Sequence, residues 1–331
     1  MGNPEVSVVI PVYGVEDRIG RFADSLFSQS LADSIEFIFV DDATKDRSME
    51  IVGEVLDGRY SRLKERVKIL RHETNRGLPA ARNTGMKAAT GRYIMHVDSD
   101  DFLDPTMVKR LYERCRKDNL DVAWCDWNTV KGNNRIRVSE PDYSTGAEAL
   151  LHTLVGPLHY NVWNKLTRRD LFTENGIEFP EGHSMGEDMT MMMVLACAGR
   201  VGKTEGYLYN YVKYDTGTIT SAYADSHIRS LEYNVNRVCG FIENKFPDKY
   251  VREMAFMKLG MKSALLLSGC RPRLFRAWKR LFSDANEYIG LNNQTSGRVS
   301  FLEKCAKRNL FLPVAVYNLL IVDIYNRLRY R

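Results

Sequence analysis

Three carboxylates fall within four residues at Asp98-Ser99-Asp100-Asp101, directly after the apolar, aromatic run Tyr93–Val97. Carboxylates this close repel one another, and each loses hydration in an enclosed site. Such a group persists in open solvent, as an acidic turn leading into the next helix, or around a positive charge. Asp98-x-Asp100 suits a hard cation, because Mg²⁺ or Mn²⁺ takes one or two carboxylates and completes its shell with water and substrate phosphates. Side chains alternate at a strand end, so Asp98 and Asp100 are expected to face one crevice and Ser99 to face away. A calcium loop is excluded: "DSDDFLDPTMVK" has Leu103 and Lys109 where that loop needs Gly and Glu. The chain also lacks a GxxxxGK[ST] phosphate loop, a GxGxxG fingerprint and an HExxH helix, and its six histidines show no metal-ligand spacing.

The elements that must position these acids alternate between two periods. Val6–Val12, Ile35–Val40, Val67–Leu70, Tyr93–Val97 and Asp121–Trp127 read as strands. Between them lie helices: one carrying Ile19, Phe22, Leu26 and Phe27 on a single face, one from about Asp46, one within "NRGLPAARNTGMKAATG", and one opened by Asp104-Pro105 and running to about Lys117. This order predicts an α/β fold with a doubly wound, mostly parallel sheet and flanking helices. Ligands of such sheets sit outside the carboxyl ends of the strands. Tyr13, Asp42 and Asp98–Asp101 all fall at those ends, so two acidic clusters distant in sequence are expected at one rim. Further on, Thr145–Glu148 reads as a capping box, Glu187–Ala198 as a helix and Leu208–Tyr214 as a strand. From Ala224 the pattern is helical, apart from a loop near 291–297.

Composition limits the rest. The 331 residues are 44% hydrophobic, enough for one large domain or one domain with a helical appendage. Six scattered cysteines without a CxxC pair point to reduced thiols in the cytoplasm. The N-terminal "MGNPEVSVVIPVYG" has no signal-peptide pattern. The net charge of +5 is uneven: Arg271–Arg331 holds twelve Lys/Arg against four Asp/Glu, so the remainder is acidic and a nucleic-acid partner is not suggested. The longest uncharged run, Asn309–Val322, is shorter than the ~20 residues of a membrane span and contains Pro313.

"VSVVIPVYG", "IEFIFVDDAT", "NRGLPAARNTGMKAATGRYIMHVDSDD" and "GEDMTMMM" together resemble the family 2 glycosyltransferases, which have the GT-A fold. The resemblance covers roughly residues 5–220. It implies a catalytic domain over 1–220, with a nucleotide-sugar part to about 130 and an acceptor part over 131–220, followed by a helical region over 221–331. It also implies an inverting transfer of sugar from a nucleotide diphosphate, usually a UDP-sugar, to a hydroxyl of a glycan or lipid-linked acceptor. On this basis Pro11 and Tyr13 are expected at the nucleotide base, Asp42 as acceptor of its N–H, Asp98 near ribose and metal, and Asp100 as the ligand of Mn²⁺ or Mg²⁺. Asp188 is the expected catalytic base. Glu187, His183 and Trp163 of "WNK" are expected toward the acceptor, Arg82 and Asn83 either at the donor or bracing the acidic loop, and Lys213 near the diphosphate. Gly14 replaces the usual Asn, and Ala43-Thr44 the usual Gly-Ser, which leaves the shape of the donor loop open.

Two other functions remain in view. A nucleotidyltransferase making sugar nucleotides would be expected to show a Gly- and Lys-rich loop after the first strand, which "PVYGVEDR" lacks. A non-catalytic glycan-binding module would not need Asp42, Asp98, Asp100 and Asp188 together. In the tail, Leu310, Val314, Tyr317, Ile321, Ile324 and Leu328 form an apolar helical stripe. Lys304, Lys307 and Arg308 precede it, and Arg327, Arg329 and Arg331 follow. The stripe predicts a helix docked on its own chain, on a twin in a homodimer, or peripherally on the anionic cytoplasmic face of a membrane.

Overall fold

The computed structural model describes residues 3–214 and 224–323. They fall into two compact units: one up to Leu150 together with Pro157–Tyr214, the other comprising Leu151–Gly156 and the chain from residue 224.

The first unit is one sheet with helices around it. Its elements are β1 (Val6–Val12), α1 (Glu16–Phe27), β2 (Ile35–Asp41), α2 (Ser48–Arg59), β3 (Val67–Arg71), α3 (Leu78–Ala88), β4 (Tyr93–His96), β5 (Phe102–Leu103), α4 (Met107–Asp118), β6 (Val122–Lys131), β7 (Asn134–Val138), α5 (Gly146–Val155, whose end belongs to the second unit), β8 (Lys165–Arg168), α6 (Asp170–Glu174), α7 (Thr190–Cys197) and β9 (Val201–Val212). The strand order is β3-β2-β1-β4-β8-β6-β9-β5, with β7 hairpinned onto β6. The first four strands are parallel, and β1 and β2 are buried at every residue, as a strand covered on both faces must be. Beyond β4 the sheet is mixed: β8 runs antiparallel between β4 and β6, β9 pairs parallel with β6, and β5 closes the edge antiparallel to β9.

The doubly wound half matches the apolar periodicity closely, whereas the short strands β5 and β8 carry too few residues to show a period. β9 begins seven residues before the expected strand, because Gly206 (φ +104°) and a register shift against β6 interrupt its alternation. Two expected helix starts move. The Asp104 side chain accepts the Thr106 N–H (2.8 Å) and hydroxyl (2.6 Å), holding a turn ahead of α4, so Pro105 precedes the helix instead of opening it. Glu187 and Asp188 likewise lie in the turn before α7. Half of the capping box at α5 forms: Thr145 Oγ1 accepts the Glu148 N–H at 3.2 Å, while the Glu148 carboxylate reaches back to the Ser144 N–H (3.4 Å), one residue before the cap.

The second unit contains α8 (Asp225–Lys245), α9 (Val251–Leu266), α10 (Pro272–Arg280), a 3₁₀ turn at Ser283–Tyr288, α11 (Gly297–Lys307), α12 (Phe311–Tyr317) and a π-helical stretch at Asn318–Asp323. A lysine sits in its core. Lys262 Nζ donates to the Leu281 and Phe282 carbonyls (2.8 and 3.0 Å) and to Asn286 (2.6 Å), satisfying the carboxyl end of α10. Burial pushes its pKa down to about 8. No helix among the described residues is long and apolar enough to cross a membrane. Of the expected tail stripe, Val314 is buried and Leu310 exposed. Ile324 and Leu328, with Arg327, Arg329 and Arg331, lie outside the described residues, as does the side chain of Ile321.

One buried carboxylate ties the parallel half together at the end opposite the acidic rim. Glu36 of β2 accepts from Ser7 (2.6 Å), the Thr90 N–H and hydroxyl (2.6 and 2.8 Å) and the Gly91 N–H (3.1 Å), and pairs with Lys68 at 2.6 Å. Burial alone would raise its pKa, but the bonds from Lys68, Ser7 and Thr90 outweigh that and hold it below the ordinary value. Glu36 therefore adds stability above the unfolded-chain pKa of about 4.3 and loses it as pH falls through the lower folded value. Glu36→Gln should cost about 2–3 kcal/mol at pH 7 in urea unfolding. The gap from the native protein should narrow at pH 3; an equal gap at both pH values would contradict this role.

Candidate active site

β4 ends at His96, so Asp98–Asp101 form a turn and strand alternation no longer governs them. Ser99 is buried, and its hydroxyl donates to the Pro11 carbonyl at 2.7 Å, tying the turn to the end of β1. The three carboxylates occupy three different settings. Asp101 is enclosed, accepting from the Tyr209 hydroxyl and the Val212 N–H, both at 2.7 Å. Burial, then the charges of Asp98 and Asp100, push its pKa well above the carboxylate range. Asp98 accepts from Arg82 Nη2 at 2.6 Å. Asp100 has no ion-pair partner among the described residues; burial and the neighbouring Asp98 raise its pKa to about 6, against a partial offset from Arg18 and Arg21 of α1. Tyr214 braces this turn by donating to the Asp100 carbonyl (2.9 Å), while Arg18 lies 3.8 Å over its ring and Arg21 donates to its hydroxyl (3.3 Å).

These settings test the fit of a divalent cation. Asp100, desolvated beside a like charge and without a cation, is a carboxylate such an ion would stabilise. Among the described residues no three Asp, Glu, His or Cys side chains converge into a metal cage. A cation here would therefore take Asp100 and Asp98 at most, leaving its other positions to a phosphate-bearing ligand and water.

α3 organises the rim from beneath. Asp42, buried at the end of β2, accepts the Arg76 and Gly77 N–H groups (2.8 Å each) just ahead of the helix, and His72 Nδ1 at 2.6 Å. His72 in turn contacts Thr84 of α3 at 2.9 Å. Asp42 thus carries bonds on both oxygens, with one acceptor position left on Oδ2. One turn into the helix, Arg82 is only 1% exposed, and its Nε and Nη1 have no hydrogen-bond partner among the described residues. Its charge acts on Asp98, Glu187, Asp188 and His96. Asn83 braces: it donates to the Phe179 carbonyl (3.0 Å) and accepts the Phe179 N–H (2.7 Å).

The residues expected toward the acceptor lie around β8, β9 and the turn before α7. Asp188 accepts the Val162 N–H at 2.8 Å. Burial raises its pKa and Asp98 adds to this, while Val162, Arg82 and Lys165 oppose it. Glu187 is raised too, chiefly by burial. Lys165 is buried and donates to the carbonyls of His159 and Asn161 and to Asn164 (2.8–2.9 Å); burial pushes it down to about 8. Trp163 is 6% exposed and stacks on Tyr209 (4.4 Å) and Tyr211 (5.6 Å), so it packs instead of presenting an open face. His183 is half-buried in a loop with left-handed backbone at Gly182 and Met185. Lys213 is exposed just after β9.

At the loop expected to meet the donor, Pro11 is buried and Tyr13 is 52% exposed. Gly14 and Ala43 both take left-handed φ (+67° and +58°), the first suiting Gly or Asn, the second costing a non-glycine residue some strain. Thr44 supplies the hydroxyl of a serine: it accepts the Gly14 N–H (2.9 Å) and donates to Asp46 (2.8 Å). The substitutions at these positions therefore keep the loop closed.

The profile of glycosyl transferase family 2 matches residues 7–186, more than half of the chain. The chain belongs to this family. Among its relatives, an uncharacterized glycosyltransferase EpsJ of Bacillus subtilis is 35% identical over 219 residues, 63% of this chain and 61% of that protein. A poly(ribitol-phosphate) beta-glucosyltransferase of Bacillus spizizenii is 31% identical over 227 residues, 66% of this chain and 34% of that protein. The match thus spans under two thirds of the length of these relatives. Staphylococcus aureus TarS 1–349, crystallised with UDP-GlcNAc, has the same fold, with a TM-score of 0.70 at 20% identity, over 95% of this chain and 91% of that one. The family-2 chain therefore has the GT-A architecture, with a helical C-terminal region.

Sequence reasoning missed Tyr209, Tyr211, Tyr214, Arg18 and Arg21. The alternation "YLYNY" over 207–211 is the signal that carried the first two: residues 209 and 211 share a strand face and both stack on Trp163. Tyr209 links two of the acids, since its hydroxyl also accepts the Asp98 N–H at 3.2 Å. Tyr209→Phe should leave Asp101 buried with one partner fewer and the Asp98 N–H without this acceptor, costing about 1–3 kcal/mol. An unchanged melting temperature would show that the hydroxyl does not organise the turn.

Proposed function

We propose that the chain is an inverting glycosyltransferase that moves a sugar from a nucleotide diphosphate donor of the UDP class to a hydroxyl of a glycan or lipid-linked acceptor. The observation carrying this reading is the buried guanidinium of Arg82, which pairs with the donor-side Asp98 and acts on the acceptor-side Asp188. Both halves of a displacement are thereby held in one electrostatic neighbourhood. The UDP donor is supported by TarS, crystallised with UDP-GlcNAc and with UDP. Glycan assembly is supported by the relative named for transfer to poly(ribitol-phosphate).

Asp188 takes the proton of the acceptor hydroxyl as that oxygen bonds to the anomeric carbon and the bond from that carbon to the diphosphate breaks. Attack from the face opposite the leaving group inverts the configuration. The Val162 N–H fixes one oxygen of Asp188, and Arg82 and Lys165 favour its ionised form. On the donor side, the open Tyr13 ring and Pro11 flank the nucleotide base, and the remaining acceptor position of Asp42 takes a base N–H. Asp100, with Asp98, would hold Mn²⁺ or Mg²⁺, which supplies charge neutralisation to the departing diphosphate. Glu187 and His183 border the acceptor.

Asp188→Asn should lower kcat about 10²–10⁴-fold while UDP affinity stays near native. In the native enzyme, kcat should fall as pH drops through the raised pKa of Asp188, since only the ionised base accepts a proton. Loss of UDP binding with kcat retained at saturation would refute the base assignment. Asp100→Ala should remove the Mn²⁺-dependent part of UDP affinity in calorimetry; unchanged dependence on Mn²⁺ would refute the metal role.

A further inference from the structure

The end of the helical unit shows two apolar faces where a docked helix needs one. Phe311, Val314 and Asn318, spaced i, i+3, i+7, turn inward. Phe311 stacks on Phe275 at 5.2 Å, Val314 is fully buried, and Asn318 donates to the Leu266 and Val314 carbonyls at 2.7 and 3.0 Å. This anchoring fixes what points outward: Leu312 (75% exposed), Val316, Leu319 and Leu320, spaced i, i+4, i+7, i+8. On α11, Leu302, Cys305 and Ala306 are buried while Phe301, Lys304 and Arg308 are exposed on the other side. The two helices adjoin, with Arg298 of α11 lying 5.4 Å over the ring of Tyr317.

Along this stretch of chain the exposed charge has one sign, and the exposed acid beside it, Glu287, is taken up by Lys307. From Gly297 to Leu320 every exposed charged residue is cationic (Arg298, Lys304, Lys307 and Arg308), and the lone acid, Glu303, is buried. Lys307 pairs with Glu287, whereas neither Lys304 nor Arg308 makes an ion pair among the described residues. Apolar residues flanked by uncompensated cations suit a surface that is itself apolar beneath an anionic layer. A second copy suits it less, because a two-fold contact sets a patch against itself and would bring the same cations face to face.

We propose that the α11–α12 surface docks peripherally on an anionic lipid bilayer, with Leu312, Val316, Leu319 and Leu320 entering the interface and Lys304 and Arg308 meeting the headgroups. Deleting the tail is a poor test, because Leu302, Ala306 and Val314 are part of the unit's core. The full chain is instead sedimented with phosphatidylcholine vesicles with and without phosphatidylglycerol, at low and high salt. It should bind only the phosphatidylglycerol vesicles and should release at high salt. Lys304→Gln/Arg308→Gln should weaken the partition about twenty-five-fold, at roughly five-fold per cation. Leu312→Ser/Leu319→Ser should weaken it about a hundred-fold or more, with an unchanged melting temperature because both leucines are exposed. If the leucine pair does lower the melting temperature, the charge pair decides alone. Absence of vesicle binding, equal binding by native and charge-pair proteins, or a solution dimer that the leucine pair dissociates would each overturn the proposal. UDP affinity is independent of all these outcomes, so failure here would leave the transferase reading untouched.

Discussion

A buried guanidinium is the constraint on which the first unit turns. Arg82 makes one described bond, to Asp98, and two of its donor atoms are buried without a partner. Unsatisfied buried donors are costly, and a fold keeps them only where the surrounding charges compensate. Here the compensation comes from Asp98, Glu187 and Asp188 together. The dependence runs both ways: without Arg82, three half-buried carboxylates would share a neighbourhood with no buried guanidinium among them.

Holding that charge in place takes most of the parallel half of the sheet. α3 presents Arg82 because Asp42 fixes the backbone ahead of the helix and His72 ties Asp42 to Thr84. The acidic turn meets Arg82 because Ser99 is fastened to the end of β1 and Tyr209 bonds to both Asp98 and Asp101. Helix α3 and the acidic turn are near neighbours in sequence, β1 and β9 are distant from them, and each tie joins one side chain (Asp42, Ser99 or Tyr209) to a backbone group of another element. The rim is thus a property of the sheet's geometry more than of any one loop.

Much of this arrangement was legible in the sequence. Fully buried parallel strands announce themselves as unbroken apolar runs, so β1 and β2 matched their expected spans to within a residue. The rim acids stood out because charge after an apolar run is unusual. What escaped notice shares one physical cause: its signal was not local. β5 and β8 are too short for a period, Tyr214 and Arg21 meet across almost two hundred residues, and Trp163 resembles a binding face until its two stacked tyrosines are seen. In the tail, the expected stripe captured Val314, whereas the outward leucines became meaningful only once Phe311 and Asn318 showed which side faces the core.

The anchoring of Asp188 separates two things that many enzymes leave entangled. Its carboxylate is oriented by a backbone N–H at residue 162, close to β8 in the middle of the sheet, while the loop at 180–186 leaves the core through left-handed residues. Within that loop Glu181 is tied to Arg76 and Asn83, whereas Met185 is exposed, so change at Met185 leaves the bond that orients Asp188 untouched. On the proposed assignment of Asp188 as base and of this loop as the acceptor border, a graft of the loop between family members becomes a route to new acceptors, with the chemistry inherited from the sheet.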